Sequence, residues 1–167
     1  MTGATIPDPS DTARALRTAL ASYPTGVVAL AAEVDGQRVG MAVNSFTSIS
    51  LDPALVAVSV ARTSRTWPQL AVADRIGLSV LAAHQESVSR RLSARDGDRF
   101  GDVELHHADG GALLVEGAAL WLQAEPHTTL DGGDHEIVLL KTVDEAHFDR
   151  VEPLACHRSR YGAVLAS

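Results

Sequence analysis

Between Gly26 and Ala61 the chain reads GVVALAAEVDGQRVGMAVNSFTSISLDPALVAVSVA, apolar runs of strand length separated by short polar breaks. Asp35-Gly36 is a two-residue hairpin signal, and the near-continuous run before it predicts a strand buried on both faces. SLDP supplies a second turn ahead of ALVAVSVA, so the spacing predicts an antiparallel meander of three strands. One feature conflicts with that burial. GMAVNSFTSIS, Gly40 to Ser50, places hydroxyl and amide side chains in the middle of what should be sheet.

The remainder of the chain extends the same architecture. Residues 1–9 lack periodicity and read as a flexible tail, leaving one domain over residues 10–167. Leu16, Leu20 and Tyr23 fall at helical spacing behind Asp11, which predicts an amphipathic helix ending before Pro24. A short helix begins around Thr66 with Pro68 in its first turn. RIGLSVLAA reads as strand and QESVSRRLSA as helix. RDGDRFGDVELHHADGG is a polar excursion, after which ALLVEGAALWLQAEPHTT and DHEIVLLKTVDEAHF resume the strand pattern around LDGG. Six or so strands with helices at the margins favour a mainly β fold, a closed or partly closed antiparallel barrel.

The totals narrow the function classes. At 167 residues, 46% hydrophobic and 21% charged, the composition is that of one globular domain. No run approaches the roughly 18 apolar residues of a membrane span. The start carries no basic-then-apolar leader, so a cytoplasmic location is expected. A net charge of −7 argues against general nucleic-acid binding, although a local basic cluster can still hold one anionic ligand.

A buried polar side chain without a partner costs about 1–3 kcal/mol, so the group around Asn44 and Ser45 needs partners. Either backbone and water satisfy it near a strand end, or it lines a cleft for a flat, heteroatom-rich ligand. The segment SVARTSRTWPQL carries Arg62, Thr63, Ser64, Arg65 and Thr66 from a strand end into a helix start. That is either an N-cap flanked by solvated arginines or a phosphate site. His135 opens HEIVL, but Leu139 stands where a zinc-protease helix needs its second histidine. His106 and His107 lie in the polar excursion and are expected at the surface. Cys156 has no thiol partner and is expected to be inert. G-x-S-x-G, Walker-type and G-x-G-x-x-G patterns are absent, so no dinucleotide binds in the Rossmann manner.

The order GVVALAA, GMAVNSFTSISLDPALVAVSVARTSRTWPQL, DRF, GGDHEIVLL and PLACHRSRYG resembles the short-chain NAD(P)H-dependent flavin reductases, reductase components of two-component flavin monooxygenases. The likeness runs from about Leu16 to Gly162. It implies an antiparallel Greek-key split β-barrel that binds FMN or FAD, pairs as a homodimer and uses NADH or NADPH as hydride donor. Met41, Ala42, Val43, Asn44 and Ser45 would border the flavin ring, with Ser59 and Ala61 facing it from the next strand. Arg62, Thr63, Ser64, Arg65 and Thr66 would take its phosphate, and Phe100 would lie nearby. His135 would sit by the nicotinamide as the one catalytic candidate, its alternative being a structural strand histidine. Arg158, Arg160 and Tyr161 would complete that cleft, or the arginines are simply exposed. Ser159 departs from the glycine often found in that stretch. The implied activity is hydride transfer from nicotinamide to flavin, with reduced flavin passed to a separate monooxygenase. A flavin storage protein and a flavin-dependent reductase of another small acceptor are the alternatives.

Overall fold

The computed structural model describes residues 9–164, so residues 1–8 of the expected tail lie outside the described residues. Helix α1 (Pro9–Leu20) opens the chain, with Asp11 in its first turn paired to Arg14 and Arg17 in its last. Strands β1 (Thr25–Gly26), β2 (Val28–Val34), β3 (Gln37–Val43), β4 (Thr47–Leu51) and β5 (Ala54–Ala61) follow. Next come α2 (Trp67–Leu70), β6 (Ile76–Val80), α3 (Glu86–Leu92), β7 (Leu105–His107) and β8 (Leu113–Val115). The chain closes with β9 (Leu120–Gly132), β10 (His135–His147), β11 (Leu154–His157) and β12 (Arg160–Ala163).

The main sheet has seven strands in the order β3-β2-β6-β9-β10-β5-β4, every pairing antiparallel. Its two outermost strands, β3 and β4, are consecutive in sequence and joined only by Asn44–Phe46. Four Cα steps reach at most about 15 Å. A flat seven-stranded sheet would separate its edges by about 29 Å. The sheet must therefore curl until its edges meet, which makes it a split barrel. Bulges at Leu139/Leu140 and Thr142/Asp144 interrupt the ladder between the long strands β9 and β10, where such irregularities bend a sheet.

Two layers of core explain the unbroken apolarity of β2. Val28, Leu30 and Ala32 join Val58, Ile76, Leu78 and Val138 inside the barrel. Val27, Ala29 and Ala31 pack outward against Leu92, Phe100, Leu113 and Leu154. A strand buried on both faces has no position left for polar residues. The outer layer is covered by α3, by the β7–β8 hairpin and by a small sheet ordered β1-β11-β12.

Two expectations need correction. The meander is not formed: β2–β3 and β4–β5 are separate hairpins at opposite edges of the sheet, and Gly40–Ser50 breaks at Asn44 instead of running as one strand. β5 bonds to β4 on one side and to β10 on the other, and β3 bonds to neither. The amphipathic helix expected before Pro24 is formed as α1, and Leu16 and Leu20 within it and Tyr23 just beyond it are 57%, 63% and 74% exposed. The small sheet of β1, β11 and β12 also goes beyond the expected strand count. His106 and His107 are exposed as expected, on β7.

Candidate functional site

The seam of the barrel is where the polar residues gather. β3 bonds to β2 alone, and β4 stops pairing with β5 at Ala57, so Val58–Ala61 has β10 on one side and an open edge on the other. Ser45 crosses this gap. Its hydroxyl donates to the Ser59 carbonyl and accepts from the Ser59 N–H, each at 2.9 Å. One side chain thus stands in for the two ladder bonds that the split removes. Val43 turns into the barrel core and is buried.

Beside the seam lies a cleft of about 640 Å³. Met41 and Ala42 of β3 and Leu92 of α3 form its apolar wall. Its other end is lined by Thr63, Ser64, Arg65 and Thr66 of the β5–α2 loop, facing Ser93, Arg95 and Arg99. Ser64 Oγ accepts from the Trp67 N–H at 3.1 Å, satisfying the first backbone donor of α2, whose N-cap position is held by Thr66. With only four residues that helix contributes little dipole, and the positive field comes from the arginines instead. Arg99 spans the gap between β3 and this loop, donating to the Gly40 carbonyl at 2.9 Å and to Thr66 Oγ1 at 2.6 Å. No aspartate or glutamate lines the cleft.

Phe100 does not reach that lining. It is 3% exposed and sits in the outer core, where a Cβ placed on Gly40 would come within 2.7 Å of its ring. Its contribution is anchorage: a ring packed on the bare backbone of β3 fixes the loop that carries Arg95 and Arg99 to the cleft. Asp98 tightens the same loop by accepting from the Phe100 N–H. Backbone donors at Gly101 and Phe100 hold its carboxyl below the usual carboxylate range. Arg62 is committed elsewhere. Its guanidinium donates to the Gly133 carbonyl, to Glu136 and to Asp131, clasping the tip of the β9–β10 hairpin. It is not part of the cleft lining.

Asn44 faces a second cleft, of about 460 Å³, under α1. Leu16, Leu20 and Tyr23 supply its apolar side, and Asp134, Arg158 and Ser159 its polar side. The register sets His135 opposite Ala61 on β5 and Gly132 on β9. Its Nδ1 lies 2.7 Å from Asp134 Oδ1, and this bond is the main cause that pulls the Asp134 carboxyl below its ordinary range. An ionised carboxylate only accepts, so Nδ1 carries the proton and Nε2 is left as the free ring nitrogen. Arg158 also lines another cleft, of about 660 Å³, with Arg160 and Tyr161 on the β11–β12 hairpin. There Tyr161 is fastened to α3 through Ser89 Oγ at 2.9 Å, with Arg90 over its ring.

Sequence reasoning therefore missed Leu92, Ser93, Ala94, Arg95 and Arg99. The available signal was the density of arginine in RRLSARDGDRF within an acidic chain. The cleft fits a flavin phosphate: an apolar wall for a flat ring lies at one end, and cationic and hydroxyl groups without a competing carboxylate lie at the other.

Comparison with known proteins agrees with this chemistry. The flavin reductase like domain matches residues 20–165. A flavin reductase of Pseudomonas putida is 36% identical over 151 residues, 90% of this chain and 89% of that one. The crystal structure of nitrilotriacetate monooxygenase component B from Mycobacterium thermoresistibile superposes with a TM-score of 0.90 at 28% identity, covering 95% of this chain and 89% of that one. The NADH:FAD oxidoreductase SgcE6 of Streptomyces globisporus, solved with NAD and FAD fragments, gives 0.85 at 31% identity over 95% of each chain. With both the fold and most of its length matched, the chain belongs to the flavin reductase like domain family.

Proposed function

We propose that this chain is an NAD(P)H:flavin oxidoreductase, the reductase component of a two-component flavin monooxygenase. The observation that carries the reading is the carboxylate-free cleft in which Met41 and Ala42 meet Thr63–Thr66, Arg95 and Arg99, in a chain of net charge −7. Relatives named as flavin reductases and as a monooxygenase reductase component support it.

Bound flavin supplies the hydride acceptor for a nicotinamide donor. The chain's own task is to hold and orient. Thr63, Arg65, Arg95 and Arg99 hold the phosphate, Met41 and Ala42 hold the ring, and Ser45 keeps the seam beside it from opening. His135, fixed by Asp134, presents Nε2 beside Ala61 and orients the nicotinamide amide in our reading; Arg158 lies across the α1 cleft from Asp134 as a contact for the same ligand. Reduced flavin leaves for a monooxygenase component. The protein acts as a homodimer in this reading, because edge strand β4 bonds on one side only and leaves Ile49 and Leu51 exposed. A cytoplasmic location is likewise our reading; no helix among the described residues is long and apolar enough to cross a membrane.

The test is anaerobic mixing of protein, FMN or FAD, and NADH or NADPH while flavin absorbance is followed. Bleaching well above the protein-free rate is expected with at least one pair. Bleaching at the control rate with all four pairs would remove the assignment.

A further inference from the structure

The buried face of α3 holds one polar side chain among apolar ones. Ser89 and Leu92, one turn apart, are the buried residues of this helix, each 1% exposed. Leu92 packs in the outer core with Phe100 and Leu113 and also lines the flavin cleft. Ser89 is the exception in that layer. A buried hydroxyl is costly without a partner, and here Tyr161 of a different sheet supplies one, its Oη 2.9 Å from Ser89 Oγ. Arg90, the next residue, lies over the same ring with its guanidinium carbon 5.1 Å from the ring centre, and is itself held by Glu86 at 2.8 Å. Two consecutive residues of one helix therefore grip one tyrosine.

The grip falls on the loosest part of its sheet. β12 bonds to β11 alone, with Tyr161 opposite Cys156, and its other edge is unpaired. Among the described residues, Tyr161 makes the only side-chain hydrogen bond from β12 to the rest of the molecule. The same hairpin lines its cleft with Arg158, Arg160 and Tyr161. α3 thus meets both ligand spaces, Leu92 at the flavin wall and Ser89 and Arg90 at the hairpin. Transfer between two bound ligands needs the reacting atoms about 3–3.5 Å apart. A hairpin swinging on β11 alone would not keep a donor at that distance from the flavin. We infer that Ser89 is a positioning residue for the hydride donor: through Tyr161 it fixes the β11–β12 hairpin to the helix that walls the flavin cleft. Ser89 touches neither ligand in this role. The inference rests on the flavin-reductase reading, with the nicotinamide dinucleotide at this hairpin.

The test is anaerobic rapid mixing of full-length Ser89→Ala, Tyr161→Phe and the double variant, loaded with flavin, against NADH or NADPH, whichever the wild type uses. Flavin affinity and a thermal melt are measured alongside. Ser89→Ala should slow flavin reduction at saturating dinucleotide about three- to tenfold, with flavin affinity within about twofold of wild type. Tyr161→Phe should slow it at least as much, and adding Ser89→Ala to it should cost nothing further, because both changes remove one bond. If Ser89→Ala does not fold, Tyr161→Phe removes the bond from the partly buried side and carries the test. A lower melting temperature with the wild-type rate at saturation would make Ser89 merely structural and overturn the inference. A rise in KM for the dinucleotide alone, or additive losses in the double variant, would overturn it too. A wild type that reduces no flavin would overturn the functional reading beneath it, and this inference with it; an active wild type with unaffected variants overturns the inference alone.

Discussion

The cleft beside Met41 and the cleft under α1 touch the chain two residues apart, at Ala42 and Asn44, yet they differ in charge. The first has Arg65, Arg95 and Arg99 with no carboxylate; the second balances Arg17 and Arg158 against Asp134 beneath an apolar helix stripe. The segment leaving β5 shows how the separation arises. Arg62 is held by Asp131, Glu136 and the Gly133 carbonyl at the hairpin tip, whereas Arg65, three residues on, meets no acid and faces the open cleft. Two arginines of one loop thus divide into a structural clasp and a free anion site. A guanidinium's function is set by which acids the topology brings within reach.

The seam between the clefts gives the largest expected effect. Ser45→Ala removes the hydroxyl that satisfies both the N–H and the C=O of Ser59 in a half-buried setting. Unfolding in urea should show a loss of about 1–2 kcal/mol, with weaker flavin binding alongside. Unchanged stability would mean that water closes the seam equally well and that Ser45 does not separate the clefts.

The arginine pair tests the comparison itself. Arg65→Gln should lower FMN affinity about tenfold while the melting temperature stays put, since a charged hydrogen bond to phosphate is lost and no packing is. Arg62→Gln should do the reverse: FMN affinity within about twofold, and a stability loss of at most about 1 kcal/mol from exposed ion pairs. Equal effects of the two variants on FMN binding would erase the distinction.

A smaller effect belongs to the α1 side. Arg158 and Ser159 are the central residues of the β11–β12 turn, with φ of 50° and 60°. Two-residue hairpins of this kind need positive φ at both places, where a side chain is disfavoured. Ser159→Gly should therefore raise stability by about 0.5–1 kcal/mol in urea unfolding, with no change in flavin affinity. The departure from glycine noticed in the sequence thus has a backbone meaning.

These variants also mark what could be read before any coordinates. Asp35-Gly36 and the doubly buried β2 were legible because turn chemistry and apolar continuity are local properties. The position of β3 was not. Its neighbour across the seam is chosen by barrel closure and by β10, which lies some ninety residues away in the chain. At the site, Thr63 to Thr66 carried their chemistry in their side-chain types, and the structure gathers them. Arg62 looked the same in sequence and differs only through the acids of a distant hairpin. Phe100 was associated with the cleft, although its ring supports the loop while Arg95 and Arg99 line the space. Residue type gives chemistry, and long-range contacts decide where that chemistry faces.

The smallest effect is electrostatic and lies in the cleft that does carry an acid. Asp134 is exposed, and its hydrogen bond with His135 holds its carboxyl below the ordinary carboxylate range. A carboxylate depressed on folding adds stability that is fully present above its unfolded value and is lost as pH falls through the lower folded one. The difference in unfolding free energy between wild type and Asp134→Asn should therefore be level above about pH 4 and shrink below it. His135→Gln should remove the same acid-side component, since the imidazole is the leading cause of the shift. A difference that stays constant down through that window would show that Asp134 does not hold the imidazole in solution. His135 would then lack the orientation on which its proposed role depends, and the two clefts would differ in charge without differing in function.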